Sequence, residues 1–309
     1  WNLDGQLRGI KQGTWTGIPF ELNYGPLYSW GVGTRGRTGQ NDEVARSSPT
    51  QIGALTTWDA VEAGGVHGHG LSSDGALYSW GYNHRGQLGL NDVYGNRSSP
   101  VQVGALTNWT EKIASSKQGA FGATTSVIKE DGTLWSWGLA YRGGVGDGVN
   151  VNRSSPVQIG AETNWVEVAR GGVQCGAINS SGELYVWGSD NSGRLGLNTN
   201  NVNKSSPTQV GSLTNWAKIQ TNQGGFNAIK TDGTLWCWGI NSNGQVGDNT
   251  KISRSSPVQI GALTNWSSLG YGSTHCFALK TDGTLWAWGY NGSGRLGLND
   301  TIARSSPVQ

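Results

Sequence analysis

His67 and His69 stand two residues apart in "GGVHGHG". On an extended chain that spacing puts both imidazoles on one face, where they could begin a metal site. No cysteine and no third histidine lies nearby in the sequence, so packed strand residues are the better reading. Gly31, Gly33 and Gly36 in "GVGTRG" match the glycine spacing of a dinucleotide-binding loop. That motif needs a helix after it to aim backbone N–H groups at phosphate, and no helical pattern follows. Asn91-Asp92, Asp248-Asn249 and Asn299-Asp300 offer oxygen ligands, at a lower acidic density than calcium loops use. No Ser-His-Asp set and no facing pair of carboxylates can be assembled. The residue types that carry chemistry therefore predict no catalytic residue, no metal and no cofactor.

The elements that must position these residues are strands. The chain has 309 residues with 51 Gly, 16 Trp and no Met, and only 14% are charged. Abundant Gly, Asn and Ser provide tight turns, and Trp, Leu and Val provide the short strands between them. Net charge is +2 with no basic block, so no nucleic-acid partner is expected. No apolar run is long enough for a membrane helix. The chain starts on Trp1 and shows no signal peptide, a pattern that suits a mature, excised or partial chain. The cysteines are odd in number: Cys175 and Cys276 hold equivalent positions and Cys237 fills a small packing slot. All three are expected to be free, buried thiols.

Repetition decides the architecture. Trp-Gly recurs at Trp30, Trp80, Trp137, Trp187, Trp238 and Trp288, at intervals of 50, 57, 50, 51 and 50. A second tryptophan precedes each: Trp1, Trp58, Trp109, Trp165, Trp216 and Trp266. One domain of six units follows, at about 1–57, 58–108, 109–164, 165–215, 216–265 and 266–309. "CFALKTDGTLWAWG" is two alternating runs joined by Asp-Gly, the favoured hairpin turn. Asp74, Asp131, Asp232 and Asp282 are therefore turn residues rather than catalytic carboxylates. In Leu285-Trp286-Ala287-Trp288, alternation puts two large rings on one face and small residues on the other. Large against small suits successive sheets stacked radially, a β-propeller. The last unit ends at "RSSPVQ" while the chain begins at Trp1, so a closed ring is expected, with the C-terminal strand completing the sheet begun by the N-terminus.

The run "LYSWGYNHRGQLGLND" together with "HCFALKTDGTLWAWG" resembles the RCC1 (regulator of chromosome condensation 1) repeat family. The resemblance covers nearly the whole chain from about residue 20 in six copies. It implies an all-β, RCC1-like β-propeller with four-stranded blades, closed by the chain-end strands. Six blades follow from the count; seven, usual in the family, would need a degenerate unit within residues 1–24 or a further blade. The Gly-x-x-His that precedes the family's strand survives near His275 and loosely at His67, with Gln174 and Gly225 in its place elsewhere. Known relatives include a GTPase exchange factor, an ultraviolet receptor and a β-lactamase inhibitor. Others are bacterial and phage surface proteins.

The units differ most just after their first tryptophan, and a rigid frame with variable loops is a usual arrangement for binding. His67, His69, Lys117, Phe121, Arg170, Gln174, Phe226, Tyr271 and His275 are the expected partner-binding residues. Arg46, Arg97, Arg153, Lys204, Arg254 and Arg304 could form a cationic ring, or pair with Asp or carbonyl groups between blades, the preferred reading. The expectation is a non-catalytic scaffold for protein or surface recognition, extracellular or on a virion or cell surface, with a protein partner or surface receptor. The alternative is a soluble regulator or inhibitor, like the exchange factor or the β-lactamase inhibitor, that uses one face of the ring.

Overall fold

The computed structural model describes residues 24–116 and 123–309. Its smallest repeated device is the hairpin turn. Gly132, Gly233 and Gly283 hold φ of +76°, +76° and +82°, which a side chain would strain. Asp131 Oδ1 accepts the Thr133 N–H at 3.0 Å and hydroxyl at 2.6 Å, and Thr133 Oγ1 accepts Trp135 Nε1 at 2.8 Å. The same chain links Asp232, Thr234 and Trp236, and then Asp282, Thr284 and Trp286. These carboxylates are turn residues, as their Asp-Gly context predicts.

Each turn sits in the middle of a four-stranded antiparallel sheet made from one continuous run of chain. The second unit supplies Trp58–Ala63, His67–Ser72, Leu77–Gly81 and Arg97–Gln102. The third supplies Trp109–Ser115, Thr124–Lys129, Leu134–Gly138 and Arg153–Gln158. Trp165–Arg170, Gln174–Asn179, Leu184–Gly188 and Lys204–Gln209 form the fourth. The fifth is Trp216–Thr221, Gly225–Lys230, Leu235–Gly239 and Arg254–Gln259. The sixth is Trp266–Tyr271, His275–Lys280, Leu285–Gly289 and Arg304–Val308. Of the first, Tyr28–Gly31 and Arg46–Gln51 are described as a paired strand set. This is the all-β propeller with six blades; among the described residues no helix is long and apolar enough to cross a membrane.

Successive blades stack large face on small face. Trp137, Trp187, Trp238 and Trp288 are at most 2% exposed, and so are Leu77, Leu134, Leu184 and Leu235. From Trp80 to Trp288, the ring of the Trp-Gly pair lies on a glycine of the preceding unit's loop. A Cβ on Gly146 would come within 2.4 Å of Trp187 Nε1, and one on Gly196 within 2.5 Å of Trp238 Nε1. The same loops clasp the next blade by backbone hydrogen bonds from Asn41 to Ser98 O, Asn91 to Ser154 O, Gly148 to Ser205 O, Asn198 to Ser255 O and Asn249 to Ser305 O, at 2.6–2.8 Å. The first strands of neighbouring units touch and line the centre, where Lys112 Nζ meets Glu167 Oε2 at 3.2 Å.

The first and sixth units depart from this. Trp30 is 63% exposed and Leu285 is 53% exposed, whereas Trp80 and Leu77 of the second unit and their counterparts in the third, fourth and fifth are buried. The C-terminal strand pairs with Leu285–Gly289 inside its own unit. Its expected partner, the segment from Trp1, lies outside the described residues. The basic residues of the "RSSP" phrase pair within a unit, and this corrects the expectation of contacts between blades. Arg46, Arg97, Arg153, Arg254 and Arg304 reach Asp42, Asp92, Asp147, Asp248 and Asp300 at 2.5–2.6 Å. The loop folds back on its own fourth strand, which brings the acid within reach before the neighbour is. The fourth unit has Leu197 and Thr199 at the two places where the others carry the acid, and there the base is Lys204.

Candidate functional site

Antiparallel order fixes which loops share an end of the ring. The link between first and second strands and the link between third and fourth strands lie together at one end, the Asp-Gly hairpins at the other. The loop-bearing end is therefore the place to look for a site, and the residues chosen from sequence lie near it.

Most of them are buried between blades. His67 and His69 are 3% and 0% exposed, with rings edge-on at 5.1 Å. His67 Nε2 lies 3.3 Å from Thr125 Oγ1, and His69 Nδ1 lies 3.2 Å from Ser115 Oγ, both on the third unit. Burial pushes His67 down to about 4, and burial together with His67 pushes His69 well below its ordinary value. Arg170 is 2% exposed and donates to Ser126 Oγ at 2.7 Å, Ser136 Oγ at 3.1 Å and Gly144 O at 2.9 Å. Gln174 Nε2 donates to Asn222 O at 2.7 Å, and Phe226 stacks on Trp238 at 5.5 Å; neither is exposed. Tyr271 and His275 are half-buried on the sixth sheet, with His275 edge-on to Phe277 at 5.2 Å. Lys117 and Phe121 lie outside the described residues.

His67, His69, Arg170, Gln174 and Phe226 thus hold blades together and do not display themselves to a partner. The physical reason for four of them is that the second strand has a sheet packed on each face, so neither parity of its alternation reaches water. Arg170 ends a first strand and is covered by the third blade, to which it donates. Among the described residues no group of three His, Cys, Asp or Glu side chains lies close enough to hold a metal ion. Cys175, Cys237 and Cys276 are free and buried.

What the loop-bearing end does present comes from the longer loops after the Trp-Gly strands. A buried side chain braces four of these loops from inside, and Gly33 and Ala140 stand at its place in the first and third units. Asn83 Oδ1 accepts Leu88 N at 3.1 Å, Asn241 Oδ1 accepts Val246 N at 2.9 Å, and Asn291 Oδ1 accepts Leu296 N at 2.9 Å. In the fourth unit Asp190 does the same for Leu195 N at 3.1 Å. On the loops of this end arginine stacks on tyrosine three times: Arg35 on Tyr82 at 4.3 Å, Arg142 on Tyr141 at 5.0 Å and Arg295 on Tyr290 at 5.0 Å. Tyr82 also stacks on His84 at 5.6 Å, and His84 meets Tyr94 edge-on at 4.4 Å. Tyr94 is 66% exposed and holds φ +69°. The signal was present in sequence, in the variation among "YNHRGQ", "LAYRGG" and "YNGSGR", but it was outweighed by the larger variation after the first tryptophan.

A family model described as "Regulator of chromosome condensation (RCC1) repeat" matches residues 74–122, 131–178, 181–222, 232–279 and 282–309. The chain is 30% identical over 235 residues to the human "E3 ubiquitin-protein ligase HERC2", covering 73% of this chain and 5% of that protein. It is 29% identical over 260 residues to the Arabidopsis thaliana "Ultraviolet-B receptor UVR8", covering 79% of this chain and 56% of that one. The chain thus spans well under two thirds of these relatives. Among solved structures, human WBSCR16 superposes with a TM-score of 0.79 at 21% identity, over 91% of this chain and 75% of that one. Yeast RCC1 (Prp20), solved with Kap60 bound, gives 0.76 at 18% identity, over 96% of this chain and 74% of that one. At such identities the structural likeness is one of fold.

Proposed function

The chain belongs to the RCC1 repeat family, and on that premise we propose that it is a non-catalytic scaffold that holds a protein partner against the loop-bearing end of its ring. One observation carries this reading: tyrosine and exposed arginine, residue types that dominate binding hot spots, are stacked in three pairs on the loops of a single end. The frame beneath is rigid, since the clasps and the Trp-on-Gly contacts tie the loops of the first five units to the next blade. Preorganised loops lose little freedom on binding. A neighbour of the same fold, the yeast protein bound to Kap60, is consistent with a role in protein association. Composition supports an extracellular place or one on a virion or cell surface, because low charge and abundant Gly, Asn and Ser suit such repeat proteins.

Cross-linking in the native source, followed by mass spectrometry, tests the proposal. Cross-links from a partner should fall on the loops around residues 32–45, 82–96, 139–152 and 290–303. A partner linked only to the hairpins at Asp131, Asp232 and Asp282 would overturn it.

A further inference from the structure

The two ends of the ring differ in charge, a property that the net charge of +2 conceals. At the hairpin end Asp74, Asp131, Asp232 and Asp282 point into turns, with Glu130 and Glu183 beside them, and these six acids outnumber the neighbouring Lys129, Lys230 and Lys280. Of the described acids in the loops after the Trp-Gly strands, all but the exposed Glu43 are engaged. Asp42, Asp92, Asp147, Asp248 and Asp300 pair with the "RSSP" arginines, and Asp190 is buried as a loop brace. The exposed cations Arg35, Arg85, Arg142, Lys251 and Arg295 are left over at that end and outnumber Glu43, among the described residues. The fold therefore separates charge along the ring axis.

The stacked arginines are also prepared for a particular ligand. Stacking on a tyrosine occupies the face of a guanidinium and leaves its N–H fork free in the plane. Among the described residues Arg35 and Arg295 donate no hydrogen bond, and Arg142 donates one, to Ser189 Oγ at 3.2 Å. A planar fork with open donors matches a carboxylate in bidentate fashion.

We propose that the loop-bearing end takes an acidic, extended protein segment, whose carboxylates dock on the Arg35–Tyr82, Arg142–Tyr141 and Arg295–Tyr290 pairs. This rests on the scaffold reading above and names the chemistry of its partner. A nucleic acid is the lesser fit. Guanidinium covers one face of each of the three tyrosines, which leaves less ring for a stacked base. The acidic hairpin end also weakens the long-range pull on a polyanion.

The test uses the full chain and fluorescence anisotropy at low and moderate salt. The probes are a labelled Asp/Glu-rich peptide, the same peptide with Asn/Gln throughout, and a labelled oligo-dT strand. The acidic peptide should bind and the amide peptide should not. The triple variant Arg35→Gln, Arg142→Gln, Arg295→Gln should weaken the acidic peptide by at least about tenfold. Near-ultraviolet circular dichroism should confirm that its tryptophan packing is unchanged. Failure of the acidic peptide to bind, or binding indifferent to the triple variant, overturns the inference. So does oligo-dT binding more tightly than the peptide through the same arginines. A native partner that cross-links to the loop-bearing end through a segment without acids sinks this inference alone. One that cross-links only to the hairpin end sinks the scaffold reading with it.

Discussion

Tyr94 shows what a single residue contributes. Its N–H donates to Asn83 O at 3.0 Å, and the equivalent Asn201 donates to Asp190 O at 2.9 Å. The two hold similar φ, +69° and +62°, in a region that asparagine tolerates and an aromatic residue resists. The turn needs the conformation, and the tyrosine accepts it while placing its ring on His84. Tyr94→Asn should therefore raise stability, by about 1 kcal/mol in denaturant titration. It should also weaken any partner held at the loop-bearing end. A loss of stability would mean that ring packing on His84 outweighs the backbone strain. Neither half of this balance is visible in "NDVYGN", where the tyrosine could as well lie idle on a loop.

At the scale of the element, the hairpin is the most legible part of the chain. Asp-Gly with a following threonine specifies the turn, and the Asp–Thr–Trp hydrogen bonds carry it into the third strand. A side chain at Gly233 would meet Thr264 O at 2.1 Å as well as adopting φ +76°. Gly233→Ala should cost more than the 1–2 kcal/mol of the backbone term alone, read as a lowered denaturation midpoint. Strand alternation was read correctly for packing, with tryptophan on one face and Leu on the other. It misled on exposure, because both faces of a blade are covered and alternation distinguishes only the backward neighbour from the forward one.

For the whole molecule the seams between blades govern stability. His67 and His69 lie in the seam between the second and third blades and are neutral there. The folded-state value of His67, about 4, lies below the ordinary value of 6.5. Its contribution is thus complete above pH 6.5 and is lost as pH falls toward 4, an effect of roughly 3 kcal/mol. The double variant His67→Gln, His69→Asn takes the residues found at the same places in the fourth and fifth units, Gln174 and Asn227. Denaturant midpoints measured across pH should fall between 6.5 and 4 in the parent chain and stay nearly level in the variant. Below about pH 4 both should weaken further. There the hairpin aspartates, held below the usual carboxylate range by threonine hydroxyl and backbone N–H donors, take up protons.

The amino-acid order by itself determined what depends on near neighbours: the unit length, the Asp-Gly turns, the two-faced third strand and hence a propeller of six blades. Those features are set by backbone sterics and by alternation, which act over a few residues. Exposure was decided only by the tertiary structure. His67, Arg170 and Gln174 lost their access to water when a second sheet closed over their strand, and Arg35 met Tyr82 because two units came together. Whether a side chain is covered depends on a surface some 50 residues away in sequence, and periodicity within one strand carries no record of it.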